Sequence, residues 1–439
     1  MKVLVIDSYG VGVDFCLRAQ WAGHDVKHFL TPNSKYPRIG QGLTHRVSNW
    51  RDHMKWADII VMTCSAKYGA ELEQYFKAGY PIFGANQASA EWELDRTVGQ
   101  DILSSHGAQI LPYTRFSSYK DAMLHVKATN DSYACKPIGD ADRSLSYVAS
   151  GPDDMLSMMH RAQRIYGPAK QDFILQKKAK GVEFATAGWF GPHGFNNALE
   201  ENFEHKQLYA GDTGPNTGEM GTALKYCEDS KLFEMLLRPL EPALKALKFV
   251  GNIDVSVIID DDGVPWPLEF TMRMGWPAFY LNQHMHKGDP VTWMYDLVHG
   301  TDSLKVSMDH CIGVCIVGPN FPHNSKVSEH CEGVPIYGIN HENIKNLHLC
   351  EVMASEEEVY EEGKWSTRDL FATAGSWPLV VVGTGPSVSD AKADAYRIVG
   401  QIRVPNSHGQ RPDIGDRCKE GIKRLKANGF ATTWSYGDD

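Results

Sequence analysis

Residues 211–221 read Gly211-Asp212-Thr213-Gly214-Pro215-Asn216-Thr217-Gly218-Glu219-Met220-Gly221. Four glycines and a proline in eleven residues are incompatible with a helix or strand interior, so the segment is expected to be a loop held in special backbone angles. Backbone N–H groups exposed by such a loop can approach a phosphate or carboxylate closely. A second dense stretch is Leu268-Glu269-Phe270-Thr271-Met272-Arg273-Met274-Gly275-Trp276-Pro277. It follows a hairpin signal, in which Gly251 to Ile259 and Trp266 to Phe270 read as strands joined by Asp260-Asp261-Asp262-Gly263. Glu269 and Thr271 are two apart and are expected on one face, with Arg273 continuing that face and Asp254 on the partner strand. A third stretch, Arg411-Pro412-Asp413-Ile414-Gly415, lies near the end of the sequence.

Outward from these segments, the first hundred residues alternate apolar runs with amphipathic stretches. Val3 to Ile6, Val26 to Phe29, Ile59 to Met62 and Ile82-Phe83 read as strands, and Val13 to Ala22 as a helix. This is the pattern of a parallel α/β sheet. The Gly10-Val11-Gly12 turn is a weak nucleotide-binding signal, because the third glycine of a dinucleotide fingerprint is replaced by Phe15. From Asp131 to Phe190 the chain turns strand-rich, with a helix at Ser157 to Tyr166. Leu232 to Leu247 reads as a helix that Pro239 and Pro242 should kink or split. Later come a strand at Leu379 to Val382, a helix from Ser389 capped by Ser387 or Ser389, and a helix from Asp416 to Ala427 stopped by Asn428-Gly429.

The 211–221 segment resembles the Asp-Thr-Gly-Pro-Asn-Thr-Gly-Gly-Met-Gly signature of the phosphoribosylamine–glycine ligase (glycinamide ribonucleotide synthetase) family. His205-Lys206 upstream also fits. Leu268 to Pro277 is similar to that family's Glu-Phe-Asn-x-Arg-Phe-Gly-Asp-Pro, and Arg411 to Gly415 to its Arg-x-Asp-Ile-Gly. The resemblance implies a multi-domain α/β ATP-grasp ligase. Residues 1–105 would form an N-terminal parallel α/β (pre-ATP-grasp) domain and 106–310 the ATP-grasp domain, with a mobile lid at about 125–190. Residues 311–439 would form a small C-terminal α/β domain. It also implies ATP and Mg²⁺ (or Mn²⁺) as cofactors, and amide formation through an acyl phosphate.

The implied site follows residue by residue. Glu269 and Thr271 take the metal-ligand positions, with Thr271 in place of the family's Asn, and Asp254 is either a further metal ligand or a capping carboxylate. Arg273, Asp212 and Asn216 are the catalytic candidates. Lys136, Glu183, Arg96, Arg143 and Ser144 are the nucleotide-binding candidates. Arg143 and Ser144 lie in a segment that has lost the family's glycine-rich lid sequence. The acceptor half departs further. Its loops read Ser8 to Asp14, Thr63-Cys64-Ser65 and Gly375-Ser376-Trp377, without the expected arginines, and Glu219 replaces a signature glycine. Three readings stay open: the family reaction, a same-fold ligase acting on another amine, and a nucleotide-binding pseudoenzyme.

Composition narrows the rest. In 439 residues the net charge is −10 and charged residues make up 22%, the balance of a globular protein and a poor one for direct nucleic-acid binding. No apolar run reaches the ~18 residues of a membrane span. The first strand is interrupted by Asp7 and is too short for a signal peptide, so a cytoplasmic protein is expected. Nine scattered cysteines without a Cys-x-x-Cys pair argue for reduced thiols, and the histidines lack zinc spacing. Lys177-Lys178-Ala179-Lys180 reads as a solvated edge. Expected partners are small molecules, namely an amino acid such as glycine and an amine that is phosphorylated in the family. Both a monomer and a homodimer are compatible with the sequence.

Overall fold

The computed structural model describes residues 1–32, 37–138, 146–169, 172–318, 321–322, 331–407 and 409–437. Buried aliphatic runs at the start form the expected parallel sheet. Its strands lie in the order Asp25–Leu30, Lys2–Asp7, Ile59–Met62, Ile82–Phe83. The helix Val13–Trp21 follows the first strand directly.

A large antiparallel sheet dominates the rest. Its strands run in the order Pro265–Thr271, Gly251–Ile259, Val182–Gly191, Leu199–Tyr209, Thr213–Cys227, His310–Ile316, Leu379–Gly385, Leu347–Leu349. Three of these strands come from beyond residue 309, so the C-terminal segment extends the same sheet. A smaller antiparallel sheet holds Tyr113–Phe116, Phe173–Lys177, Tyr133–Pro137 and Tyr147–Val148. A third contains the long hairpin Val352–Glu361 and Lys364–Thr373, which the sequence reading did not find.

The prolines split the 231–246 region as expected, into Lys231–Leu236, a 3-10 turn at Arg238–Leu240, and Glu241–Ala246. Ser387 caps the helix Val388–Val399, its side chain accepting from the Asp390 N–H.

The expectation for 211–221 needs correction. Residues from Thr213 onward belong to a strand paired with Leu199–Tyr209, and the loop is only the turn at 210–212. The glycines are used at irregularities rather than along a loop. The register slips twice, between His205 and Gln207 and between Gln207 and Tyr209. Gly211, Asp212 and Gly214 have positive φ, and a Cβ on Gly214 would press on the Tyr209 ring.

The two faces of the large sheet differ sharply. On one face Phe184, Phe203, Val255, Val257 and Phe270 are buried with Trp434 and the helix Cys418–Ala427. The other face repeats charge with a period of two. The registers Thr271↔Asp254↔Ala187↔Glu200 and Glu269↔Ser256↔Ala185↔Asn202 align polar side chains on three strands, with small alanines on the strand between, and Glu183, Glu204 and Lys206 continue those alternations. All nine cysteines are buried, and none is in a disulfide. Among the described residues no helix is long and apolar enough to cross a membrane.

Candidate active site

The polar sheet face and the small sheet meet across a line of opposite charges. Arg96 opens the helix Arg96–Ser105, forms an ion pair with Glu269, and donates from Nε to the Pro137 carbonyl at 3.3 Å. Lys136 comes from the small sheet and donates to Gln176 Oε1 at 3.0 Å. Lys206 projects from the large sheet and pairs with Glu183 at 2.6 Å and Glu204 at 2.9 Å. These groups act on one another. Burial, then the positive Arg96, push the Lys136 ammonium down to about 8. Burial works to raise the Glu269 carboxyl, but Arg96, Lys136 and Lys206 hold it well below the usual range. Burial works to lower Lys206, and Glu183, Glu204 and Glu269 together hold it well above its ordinary value.

Deeper along the same face the balance reverses. Burial pushes Glu200 up to about 7 although Asn202 and Asn282 donate to it, the latter at 2.8 Å. Burial and then Glu204 raise Asp254 and Glu219 well above the carboxylate range. Asn202 donates to Asp254 at 3.4 Å, while its own carbonyl oxygen is buried without a hydrogen-bond partner. Asp254, Glu200 and Glu219 therefore crowd together with too little positive charge beside them. That is the electrostatic condition a cation relieves.

The site residues expected from sequence distribute as follows. Lys136, Glu183, Arg96 and Glu269 form one charge-linked group, with Asp254 opposite Thr271 on the same face. Arg273 departs from its expected face because the strand ends at Thr271. It pairs instead with Glu93 at 3.1 Å, and Glu93 also accepts from Ser65 at 2.8 Å and the Met272 N–H at 2.9 Å. Asp212 joins the third motif. Arg411 reaches Asp212 at 3.0 Å and Asp413 at 2.8 Å, and Asp413 accepts from the Gly211 N–H at 2.8 Å. Arg417 bridges Asp212 and the Glu204 carbonyl, connecting this network to the charged face. Asn216 is exposed beside the turn. Arg143 and Ser144 lie outside the described residues.

Glu200, Glu204 and Lys206 were missed as site residues. Their signal was the alternation Glu200, Asn202, Glu204, Lys206, which puts every polar member on one strand face.

Residues 95–278 match the family model described as the phosphoribosylglycinamide synthetase ATP-grasp (A) domain. The likeness is to an ATP-grasp domain. The chain is similar to phosphoribosylamine–glycine ligases, including that of Allochromatium vinosum (24% identical over 367 residues, 79% of this chain and 80% of the relative). That of Ralstonia nicotianae is 25% identical over 368 residues, covering 80% and 82%. Among solved structures, this chain resembles phosphoribosylamine–glycine ligase from Thermotoga maritima (TM-score 0.70, 18% identity, 94% of this chain and 100% of that one). It also resembles a biotin carboxylase from Campylobacter jejuni solved as a β,γ-ATP complex (TM-score 0.63, 11% identity, 99% and 98%). At these identities the solved structures speak for the fold.

Proposed function

We propose that this protein is an ATP-dependent carboxylate–amine ligase that forms an amide through an acyl phosphate, binding ATP between the small sheet and the polar face of the large one. The observation carrying this reading is the facing set Lys136, Arg96 and Lys206 around Glu269 and Glu183. Cations placed to meet polyphosphate stand beside carboxylates placed to meet a metal or a ribose hydroxyl.

Among the described residues no group of three or more His, Cys, Asp or Glu stands ready to hold a metal ion. Magnesium does not require one, because it is commonly held by one or two carboxylates together with substrate phosphates and water. The donors here are all oxygen, and the crowding of Asp254 and the unpartnered Asn202 carbonyl fit a hard cation. Glu269, Thr271 and Asp254 would hold it. When bound, Mg²⁺ (or Mn²⁺) neutralises charge on the transferred phosphoryl oxygens.

The chain's own residues do the rest. Lys136 and Arg96 orient the phosphates. Glu183, fixed by Lys206, addresses the nucleotide, and the small sheet excludes water when it closes. The carboxylate substrate attacks the terminal phosphorus, ADP leaves, and the amine then displaces phosphate from the acyl carbon. The proposed working parts are residues 1–105, 106–310 and 311–439, the last sharing the large sheet. An amino acid such as glycine is the proposed carboxylate. Thr271 and the rewritten acceptor loops favour an amine other than the family's own.

The test is ADP formation with ATP, Mg²⁺, glycine and a panel of amines that includes phosphoribosylamine, omitting each component in turn. ADP dependent on both carboxylate and amine supports the ligase. Nucleotide binding with no turnover under any combination would leave a nucleotide-binding protein and sink the ligase reading.

A further inference from the structure

The strand Lys2–Asp7, its glycine turn and the helix Val13–Trp21 build an arrangement that ordinarily receives an anion. Successive backbone N–H groups converge at a helix N-terminus, at the carboxyl edge of a parallel sheet. Here the converging donors are already used by the chain. Asp7 Oδ1 accepts from the N–H groups of Tyr9 at 3.2 Å, Gly10 at 2.9 Å and Val11 at 3.3 Å, and from Thr63 Oγ1 at 3.0 Å. Asp7 Oδ2 accepts from the Gly12 N–H at 2.7 Å and lies 3.2 Å from His28 Nε2. Asp7 and His28 are fully buried.

The surrounding space is filled as well. A Cβ on Gly10 would strike Ile39, and one on Gly12 would meet Asp7 Oδ2 at 3.0 Å and Thr63 Cγ2 at 3.1 Å. The Tyr280 hydroxyl donates to the Val11 carbonyl at 2.8 Å, and Trp276 Nε1 to the Thr63 carbonyl at 3.3 Å. A second buried carboxylate, Asp14, stands in the first turn of the same helix. It is held by Arg18 at 2.8 Å, His348 at 2.7 Å, Gln283 at 3.1 Å and the Leu349 N–H at 3.2 Å. An incoming phosphate would find the N–H groups of Tyr9, Gly10, Val11 and Gly12 already bound to Asp7, and the carboxylates of Asp7 and Asp14 beside it.

The turn nonetheless adjoins the reaction cleft. The helix Ala278–Met285, whose Tyr280 contacts Val11, carries the Asn282 that donates to Glu200 on the polar sheet face.

We propose that Asp7 is a built-in anion that sets acceptor specificity, so that the acceptor of this protein is an amine without a phosphate or other anionic group at the glycine turn. This rests on the ligase reading for the word acceptor, while the filling of the turn is tested independently of turnover. The probes are inorganic phosphate and ribose 5-phosphate, titrated calorimetrically into the full-length protein saturated with ADP, with the ADP titration as a separate measurement. Wild type is expected not to bind ribose 5-phosphate at about 1 mM, while inorganic phosphate, a product of the proposed reaction, is read only as the difference between wild type and variant. Asp7→Ser, which frees the turn N–H groups and removes the charge, is expected to bind inorganic phosphate at least about tenfold more tightly than wild type. Saturable binding of ribose 5-phosphate to wild type below about 1 mM, with ADP bound, overturns the proposal. Equal phosphate affinity in wild type and a folded Asp7→Ser also overturns it. Should Asp7→Ser fail to fold by circular dichroism, the wild-type titration decides alone. Failure of ADP to bind would count against the ligase reading and leave the result on Asp7 standing.

Discussion

Two regions of this molecule bury carboxylates, and they treat them in opposite ways. At the glycine turn every Asp7 oxygen is satisfied from within the chain, and burial, which would raise its carboxyl, is overcome by His28, the Gly12 N–H and Thr63. On the polar face of the large sheet, Asp254, Glu219 and Glu200 are crowded, under-neutralised and driven upward. A carboxylate completed by its own fold does structural work. One left incomplete is the kind of group that the proposed metal or substrate would complete.

The largest expected effect follows from the incomplete side. Glu269→Ala should lower Mg²⁺-dependent ADP formation by about 10²-fold or more while the melting temperature stays near that of wild type. Full activity in that variant would remove the metal assignment. On the completed side the expectation inverts. Arg411 is 2% exposed and joins Asp212, Asp413 and the Gln207 carbonyl, so Arg411→Ala should cost about 1.5–3 kcal/mol of stability by removing charge-assisted hydrogen bonds to two partly exposed carboxylates. Chemical denaturation measures this, and a loss below about 1 kcal/mol would show the network to be incidental.

Lys136 offers a sharper probe through pH. With its ammonium at about 8, ATP affinity should fall above that pH, by at most about tenfold per unit, as the proton is lost. Lys136→Arg stays charged and should abolish the dependence. A pH profile identical in both proteins would exclude Lys136 from the phosphates.

Stability itself should respond in two windows. Glu200 is raised in the folded state to about 7, so the stability it contributes is full below about pH 4.5 and is lost as pH rises through 7. Asp212 and Asp413 are depressed, so theirs is present above about pH 4 and lost as pH falls below it. Melting curves between pH 5 and 8 should therefore decline by a few degrees, and Mg²⁺ with ADP should reduce the decline if the crowded face holds the cation. The smallest effect belongs to exposed Asn216. Asn216→Ala should leave stability within about 0.5 kcal/mol, and any fall in kcat/KM at constant melting temperature would place it on substrate.

What the sequence revealed was mainly local. The run Val3 to Ile6, the Ser387 cap and the proline split at 239 and 242 are decided within a few residues, and all three were legible. The two sequence-distant motifs around Asp212 and Asp413 were also found, but not their contact, which joins positions 200 residues apart. The signature at 211–221 was misread as a loop because, of its glycines, only Gly211, in the turn, and Gly214 take positive φ, while pairing with Leu199–Tyr209 resumes after each of two register slips. The hairpin Val352–Thr373 escaped because Glu356-Glu357-Glu358 and the exposed run Lys364 to Asp369 carry no apolar–polar alternation to read. The filled glycine turn was invisible for a different reason. Gly10-Val11-Gly12 looks the same whether its N–H groups await a phosphate or already hold Asp7, and only coordinates distinguish the two.

The strand order of the large sheet has a consequence for the protein's synthesis. Thr213–Cys227 pairs on one side with its neighbour Leu199–Tyr209 and on the other with His310–Ile316, which leaves the ribosome roughly 80 residues later. At about 5–20 residues per second, that edge stays open for about 4–16 s, and the following strand Leu379–Gly385 arrives later still. During that interval the nascent chain displays an unpaired strand that includes the signature motif. Chains interrupted before residue 310 should therefore aggregate through this edge, and rare-codon pauses between 228 and 309 should lower the soluble yield more than pauses placed after 385.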